Sequence, residues 1–146
     1  MLEESKLIFL RHISTIQRNS QKYLDSCLGG AVGCGQQYFL TYIYEHDGIT
    51  MYDLAKAGHF DKGTVTKAVQ KLMDLGYVKT KTDKKDRRVK HLHATEKAAD
   101  AVELIYRTRN EWKKALLSDF TPEEEEIFVR QLEKMAQASC RVLKER

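Results

Sequence analysis

The sequence predicts a mainly helical α+β fold, and three observations carry that expectation. Composition is the first: 146 residues, 42% hydrophobic and 32% charged, hold a single Pro and many Glu, Lys, Gln, Leu and Ala, which favours helix over sheet. The second is a basic amphipathic helix from Asp61, followed by a short basic two-stranded ribbon that ends near His93. The third is a set of long amphipathic stretches at both ends of the chain, which frame that centre. The length suits one compact domain, or one domain with a helical extension.

Residues 2–27 read as one helix, with Leu2, Phe9, Ile13, Ile16, Ser20, Leu24 and Cys27 clustered on one side and Tyr23 at its edge. A small central domain offers limited apolar surface, so this stripe is expected to pack on another subunit as well. Residues 28–35 contain Gly29, Gly30, Gly33 and Gly35, which break a helix and predict a loop. A phosphate-cradling role for that loop is disfavoured, because no strand precedes it and no Gly-Lys-Ser/Thr follows. Residues 36–46 predict a second helix with Phe39, Leu40 and Ile43 inward, ended by Asp47-Gly48. Ile49 is expected to make one short strand contact with the ribbon. Thr50 then caps a short third helix, with Asp53 at its N3 position and Leu54 and Ala55 as core contacts. The turn that follows is Gly58-His59-Phe60, with the glycine at the bend.

The fourth helix is capped by Asp61 and stopped by Gly76. Val65, Ala68, Val69, Leu72, Leu75 and Gly76 form its inward stripe, while Gly63, Thr66, Lys67, Gln70 and Lys71 occupy the opposite face. Residues 77–82 and 89–93 then read as two strands around the charged tip 83–88, which is too polar to bury. Thr95 is expected to cap a long fifth helix, with Glu96 in its first turn and Ala98, Ala101, Val102, Ile105, Trp112 and Leu116 as its apolar side. Thr121-Pro122-Glu123-Glu124 restarts a helix with a threonine cap, Pro at N1 and Glu at N3. The acidic run 123–126 complements the positive end of that helix dipole. Phe128, Leu132, Met135, Ala136, Ser139, Val142 and Leu143 carry the last stripe.

Charge is not spread evenly over these elements. Residues 51–93 hold eleven Lys and Arg against five Asp and no Glu, a local +6, whereas the whole chain is +4 and the remainder therefore −2. Positive charge concentrated on a helix and a neighbouring hairpin is the footprint of a nucleic-acid surface. A helix-turn-helix with a basic hairpin beside it is a winged helix. The fold expected is thus mainly α (α+β): a winged helix-turn-helix with long N- and C-terminal dimerisation helices and a two- to three-stranded β wing. The division is 1–35 for the N-terminal dimerisation helix and Gly-rich loop, 36–94 for the winged helix-turn-helix, and 95–146 for the C-terminal dimerisation helices.

The ordered set formed by Asp53-Leu54-Ala55, the run from Lys62 to Leu72, Leu75-Gly76-Tyr77-Val78, Asp86-Arg87-Arg88 and Ala94-Thr95-Glu96-Lys97 resembles the MarR family of bacterial transcriptional regulators. No single piece is specific, but the order is, and it covers nearly the entire chain. Two positions depart from the family pattern: Ala94 stands where a Leu normally precedes the Thr, and Ala98 where Gly is common. The resemblance implies a homodimeric, sequence-specific regulator of double-stranded DNA, more often repressor than activator; a cytoplasmic protein that is not an enzyme and uses no cofactor is expected from the missing membrane span, signal segment and catalytic motifs. The resemblance also implies that Asp86 and Arg88 match the Asp-x-Arg pattern of the family wing, in which Arg reaches the minor groove and Asp helps to hold the wing.

The residues argue the same way. Two recognition helices related by a two-fold axis enter successive major grooves about 34–36 Å apart, so the target is expected to be a pseudo-palindrome. Lys62, Gly63, Thr64, Thr66, Lys67, Gln70 and Lys71 are the candidate DNA contacts of the helix, since small, polar or positive side chains reach phosphates and base edges. Lys84, Lys85, Arg87, Arg88 and Lys90 are those of the wing, where an Arg at a turn suits a narrow, strongly negative groove. A solvated edge that discourages strand pairing is the bland alternative for that hairpin.

Regulation is less legible. The resemblance implies a small aromatic or anionic ligand held between dimer helices and winged helix, and His12, Tyr23, Tyr38 and Tyr42 are candidates to line its site, against the alternative that these aromatics are plain core. A redox reading uses Cys27 or Cys34, and the default for both is inert burial. His91 and His93 share one strand face but have no Cys or carboxylate in ligand-like spacing, so no metal is expected. Three cysteines without a CxxC pair argue against a disulfide framework. No apolar run approaches the roughly 18 residues that cross a bilayer, and no h-region with a cleavage site opens the chain, so no membrane partner is expected. Gly-x-Ser-x-Gly, P-loop and His-Glu-x-x-His motifs are absent. The alternative to a DNA-binding regulator is a winged helix that docks another protein.

Overall fold

The computed structural model describes residues 2–30 and 32–145, with side chains from residue 8 onward other than that of Cys34. Leu2 in the expected stripe and the Cys34 thiol lie outside the described side chains. The elements are α1 (Leu2–Leu28), α2 (Cys34–Glu45), β1 (Ile49–Thr50), α3 (Met51–Gly58), α4 (Lys62–Asp74), β2 (Val78–Thr82), β3 (Lys90–Ala94), α5 (Ala98–Leu116) and α6 (Pro122–Lys144). The chain divides into two compact units, Met1–Asn110 and Glu111–Arg146.

In the first unit the periodic apolar positions meet in one core. Phe39, Leu40 and Ile43 of α2, Leu54 of α3 and Val65, Ala68, Val69 and Leu72 of α4 are buried together with Leu92 of β3 and Ala98, Val102 and Ile105 of α5. Each fully buried Leu or Ile contributes about 1.5–3 kcal/mol of transfer free energy, enough to fix the helices against the sheet. That sheet is antiparallel with strand order β1-β3-β2. Ile49 pairs with Leu92 and Val78 with Ala94, so the strand contact expected of Ile49 is present. The strand period of two turns Leu92 into the core, and His91 and His93 onto the outer face.

Four local expectations are corrected. The glycine-rich segment is shorter than 28–35, because α1 keeps Leu28 and α2 already starts at Cys34. Gly33 is the N-cap there, its carbonyl accepting from the Gln36 N–H at 3.0 Å, and nothing crowds Gly35 in the first turn. The bend after α3 is made by His59 in the left-handed region (φ 56°), not by Gly58. Gly58 instead provides room: a Cβ there would sit 2.5 Å from the Phe60 ring. Leu75 is exposed, since it follows the last turn of α4 and Gly76 (φ 81°) turns the chain away. Thr95 does not cap α5: its hydroxyl donates to the Gly76 carbonyl at 2.6 Å and its N–H to the Tyr77 carbonyl at 2.9 Å, and the helix begins at Ala98.

In the second unit α6 opens as the sequence predicts. Thr121 Oγ1 accepts from the Glu124 N–H at 3.1 Å, and the Thr121 N–H donates back to the Glu124 carboxylate at 3.0 Å. Phe120 packs on Phe128 across that turn with ring centroids 5.4 Å apart. Among the described residues none of α6 is buried, and its apolar stripe stays open.

Candidate nucleic-acid interface

Asp61 sets the start of α4. Its carboxylate accepts from the Thr64 N–H at 2.7 Å, and that bond holds its carboxyl below the ordinary value. With Val65, Ala68, Val69 and Leu72 anchored in the core, helical spacing leaves Lys62, Gly63, Thr64, Thr66, Lys67, Gln70 and Lys71 exposed. Two of these are locally engaged. Thr66 Oγ1 donates to the Lys62 carbonyl at 2.8 Å, and Gln70 Nε2 donates to Asp74 at 3.0 Å. The Gln70 amide keeps its second N–H and its Oε1 beyond that bond.

The tip between β2 and β3 is shaped by two carboxylates. The Asp83 N–H donates to the Val89 carbonyl at 2.9 Å and the Val89 N–H to the Asp86 carbonyl at 3.0 Å, which closes the loop. Asp83 Oδ2 accepts the N–H groups of Lys85 and Asp86, each at 3.0 Å. Asp86 Oδ1 accepts from Arg88 N at 3.0 Å and Nε at 3.2 Å, and Oδ2 from Nη2 at 3.3 Å. These bonds to Arg88 hold the Asp86 carboxyl below its ordinary value. Lys84, Lys85, Arg87, Arg88 and Lys90 are all exposed around this tip.

Helix and wing meet in a cleft of about 610 Å³, lined by Thr50, Met51, Tyr52, Asp53 and Ala55 at the start of α3, Lys62, Val65 and Thr66 of α4, and Arg88, Val89 and Lys90 of the wing. Four of the sequence-derived site residues, Lys62, Thr66, Arg88 and Lys90, are thus brought together. Lys67, Gln70 and Lys71 lie further along α4, and Lys84, Lys85 and Arg87 at the tip, outside that lining. Sequence reasoning missed Tyr52, which is 74% exposed at the cleft edge. The signal was there: Tyr52 lies two residues before buried Leu54, about 200° around the helix and therefore on its outer side.

The residues suggested for a small-ligand site are arranged differently. Tyr38 and Tyr42 stack on α2 with centroids 5.7 Å apart, and Tyr38 also packs against Phe60 at 5.5 Å. Burial, then the nearby Tyr42, pushes the Tyr38 hydroxyl above its ordinary value. Tyr23 is half-buried on α1 and His12 is exposed on the same helix, about 16 Å away along its axis. Within one protomer His12 and Tyr23 do not line a common small cavity. Among the described residues no His, Cys, Asp and Glu cluster has metal-binding geometry, and no helix is long and apolar enough to cross a membrane.

Comparison with known proteins gives a consistent result. A family model described as MarR family matches residues 36–89. The HTH-type transcriptional regulator YybA of Bacillus subtilis (strain 168) is 33% identical over 94 residues, 64% of this chain and 63% of its own length, so the chain spans just under two thirds of that relative. A MarR transcriptional regulator from Methanosarcina mazei Go1 superposes with a TM-score of 0.84 at 32% identity, covering 92% of this chain and 98% of that one. A MarR family transcriptional regulator from Listeria monocytogenes, solved in complex with a 26mer DNA, gives a TM-score of 0.81 at 26% identity over 88% of this chain and 87% of that one.

Proposed function

Because the chain belongs to the MarR family, we propose that it is a homodimeric, sequence-specific DNA-binding transcriptional regulator, acting as a repressor at a pseudo-palindromic operator in the cytoplasm, and not an enzyme. The observation that carries this reading is the shared cleft, in which α4 contributes Lys62 and Thr66 and the wing contributes Arg88 and Lys90. Cations from two separate elements facing one groove fit a phosphate backbone that runs between major and minor grooves.

In this reading α4 enters the major groove. Lys67, Thr66 and Gln70 reach toward bases, with Gly63 allowing close approach and Thr64, Lys62 and Lys71 on the backbone. Arg88 enters the flanking minor groove, held by Asp86, while Lys84, Lys85, Arg87 and Lys90 meet phosphates. The division into residues 1–35, 36–94 and 95–146 then separates partner contact, DNA contact and partner contact. That the Listeria relative was solved with a 26mer DNA supports duplex DNA as the partner. A small aromatic or anionic ligand is the release signal in this proposal, and the Tyr38–Tyr42 stack supports an aromatic wall for it. No cofactor enters the reading.

The test is a salt titration on duplex DNA taken from beside the protein's own coding region, after footprinting locates the site. With ~6–10 phosphate contacts, affinity should fall ~10³–10⁵-fold between ~50 and ~200 mM salt. A flat response on every duplex would assign the chain to protein docking instead.

A further inference from the structure

The outer face of the sheet carries a line of hydrogen bonds that leads into the wing tip. His91, on β3, lies between two groups from different parts of the chain. Its Nδ1 is 2.8 Å from the Gly48 carbonyl just before β1, and its Nε2 is 2.9 Å from Asp83 Oδ1 at the base of the wing tip. Both are acceptors. A neutral imidazole has one N–H and satisfies one of them, whereas an imidazolium satisfies both.

The line continues into the tip. Asp83 uses its other oxygen to hold the Lys85 and Asp86 N–H groups, and Asp86 holds the Arg88 side chain. We propose that His91, as an imidazolium, is a positioning residue that ties the wing to β1 and thereby aims Arg88, so that DNA affinity depends on the protonation of this one ring. The inference rests on the DNA-binding reading for its effect on affinity, but not for the tie itself. His93 differs: its Nδ1 meets one carboxylate, Asp47, at 2.9 Å, and a single N–H is enough for that bond.

Charges around His91 decide the direction. Asp83 comes first, raising His91 above its ordinary value, and His91 in turn holds Asp83 below its own. Lys81 lies directly across on β2, and Lys79 lies across from His93. The helices that contact β3, α2 and α3, bring Glu45, which accepts from Tyr106, His46, which is bonded to the Tyr42 carbonyl, and Asp53 and Lys56. A raised folded-state pKa means that the tie is complete below about 6.5 and is lost as pH rises through the folded value. At the acid end it is lost only as pH falls through the lowered Asp83 value.

Imidazole and amide NMR of the full-length protein without DNA tests the tie. His91 should titrate above about 6.5, with the Lys85, Asp86 and Arg88 amides moving at the same midpoint, and Asp83→Asn should lower that midpoint. A His91 midpoint at or below the ordinary value, or tip amides that ignore it, overturns the proposal. Operator affinity measured against pH at constant ionic strength tests the consequence. The wild-type protein should lose about tenfold in affinity across the His91 midpoint relative to His91→Gln, which should stay flat there. Parallel pH profiles for the two proteins would also overturn it. Thermal melts of both variants identify any that fail to fold, and the wild-type NMR titration decides the tie without them. If no duplex binds at any pH, the regulator reading fails, while the ring titration still decides whether the wing is tied.

Discussion

Arg88 has a side chain that is 91% exposed, yet its guanidinium is held in place by the Asp86 carboxylate through Nε and Nη2. An exposed pair of this kind adds little to stability, because solvent screens it and both side chains lose rotamer freedom. Its value is orientation. Arg88→Ala should therefore leave the melting temperature unchanged and reduce operator affinity by about 1–3 kcal/mol, roughly 5- to 150-fold, in fluorescence anisotropy. An unchanged isotherm would remove Arg88 from the site. The Asp86–Arg88 pair was expected through the family resemblance, and the two partners do bond within one turn. The bond made by Thr95 was not expected: a threonine ahead of a helix reads locally as a cap, but its hydroxyl donates to Gly76, 19 residues earlier in the chain. Tertiary contacts of that kind leave no periodic trace. The Asp83–His91–Gly48 line was hidden for the same reason, since strand pairing had to set its register before the ring could meet both acceptors.

At the scale of elements, legibility followed the strength of the local signal. Caps with short-range bonds, Asp61 on α4 and Thr121 on α6, sit where the sequence put them. So does the inward stripe of α4 from Val65 to Leu72, because four positions at helical spacing leave one solution. The turn between α3 and α4 was placed correctly, but the roles of its residues were exchanged. His59 takes the left-handed conformation, which costs a non-glycine residue about 1–2 kcal/mol, while Gly58 stays helical under the Phe60 ring. Gly58→Ala should accordingly destabilise the protein by about 1–3 kcal/mol through that clash. His59→Gly should be neutral or stabilise it by up to about 1 kcal/mol, as relief of the left-handed strain is partly offset by added freedom in the unfolded chain. Urea denaturation of both variants checks the pair. A harmless Gly58→Ala beside a damaging His59→Gly would restore the simpler view of a glycine bend.

For the whole molecule, the apolar faces left open are the strongest constraint. The 23-residue α6 has no buried residue among those described, although Ile127, Phe128, Val129 and Leu132 are apolar, and α1 leaves Phe9, Ile13 and Ile16 exposed. Most helical stability in proteins comes from packing an amphipathic face, so open stripes this long call for another surface to cover them. A second copy is the partner that the proposed regulator reading calls for, and in that reading it also spaces two α4 helices along one face of a duplex. Coupling of this kind makes stability depend on protein concentration. A charge placed in a buried, apolar interface costs several kcal/mol unless paired, so Leu132→Glu should shift sedimentation from the dimer toward the 16.9 kDa monomer. It should also abolish the rise of melting temperature with protein concentration. Operator affinity should fall with it, because each half-site then binds alone and the second contact no longer occurs at high effective concentration. Were Leu132→Glu to stay dimeric with full affinity, α6 would have to be covered by something other than a second copy, and the two-fold arrangement of recognition helices would need to be built on α1 alone.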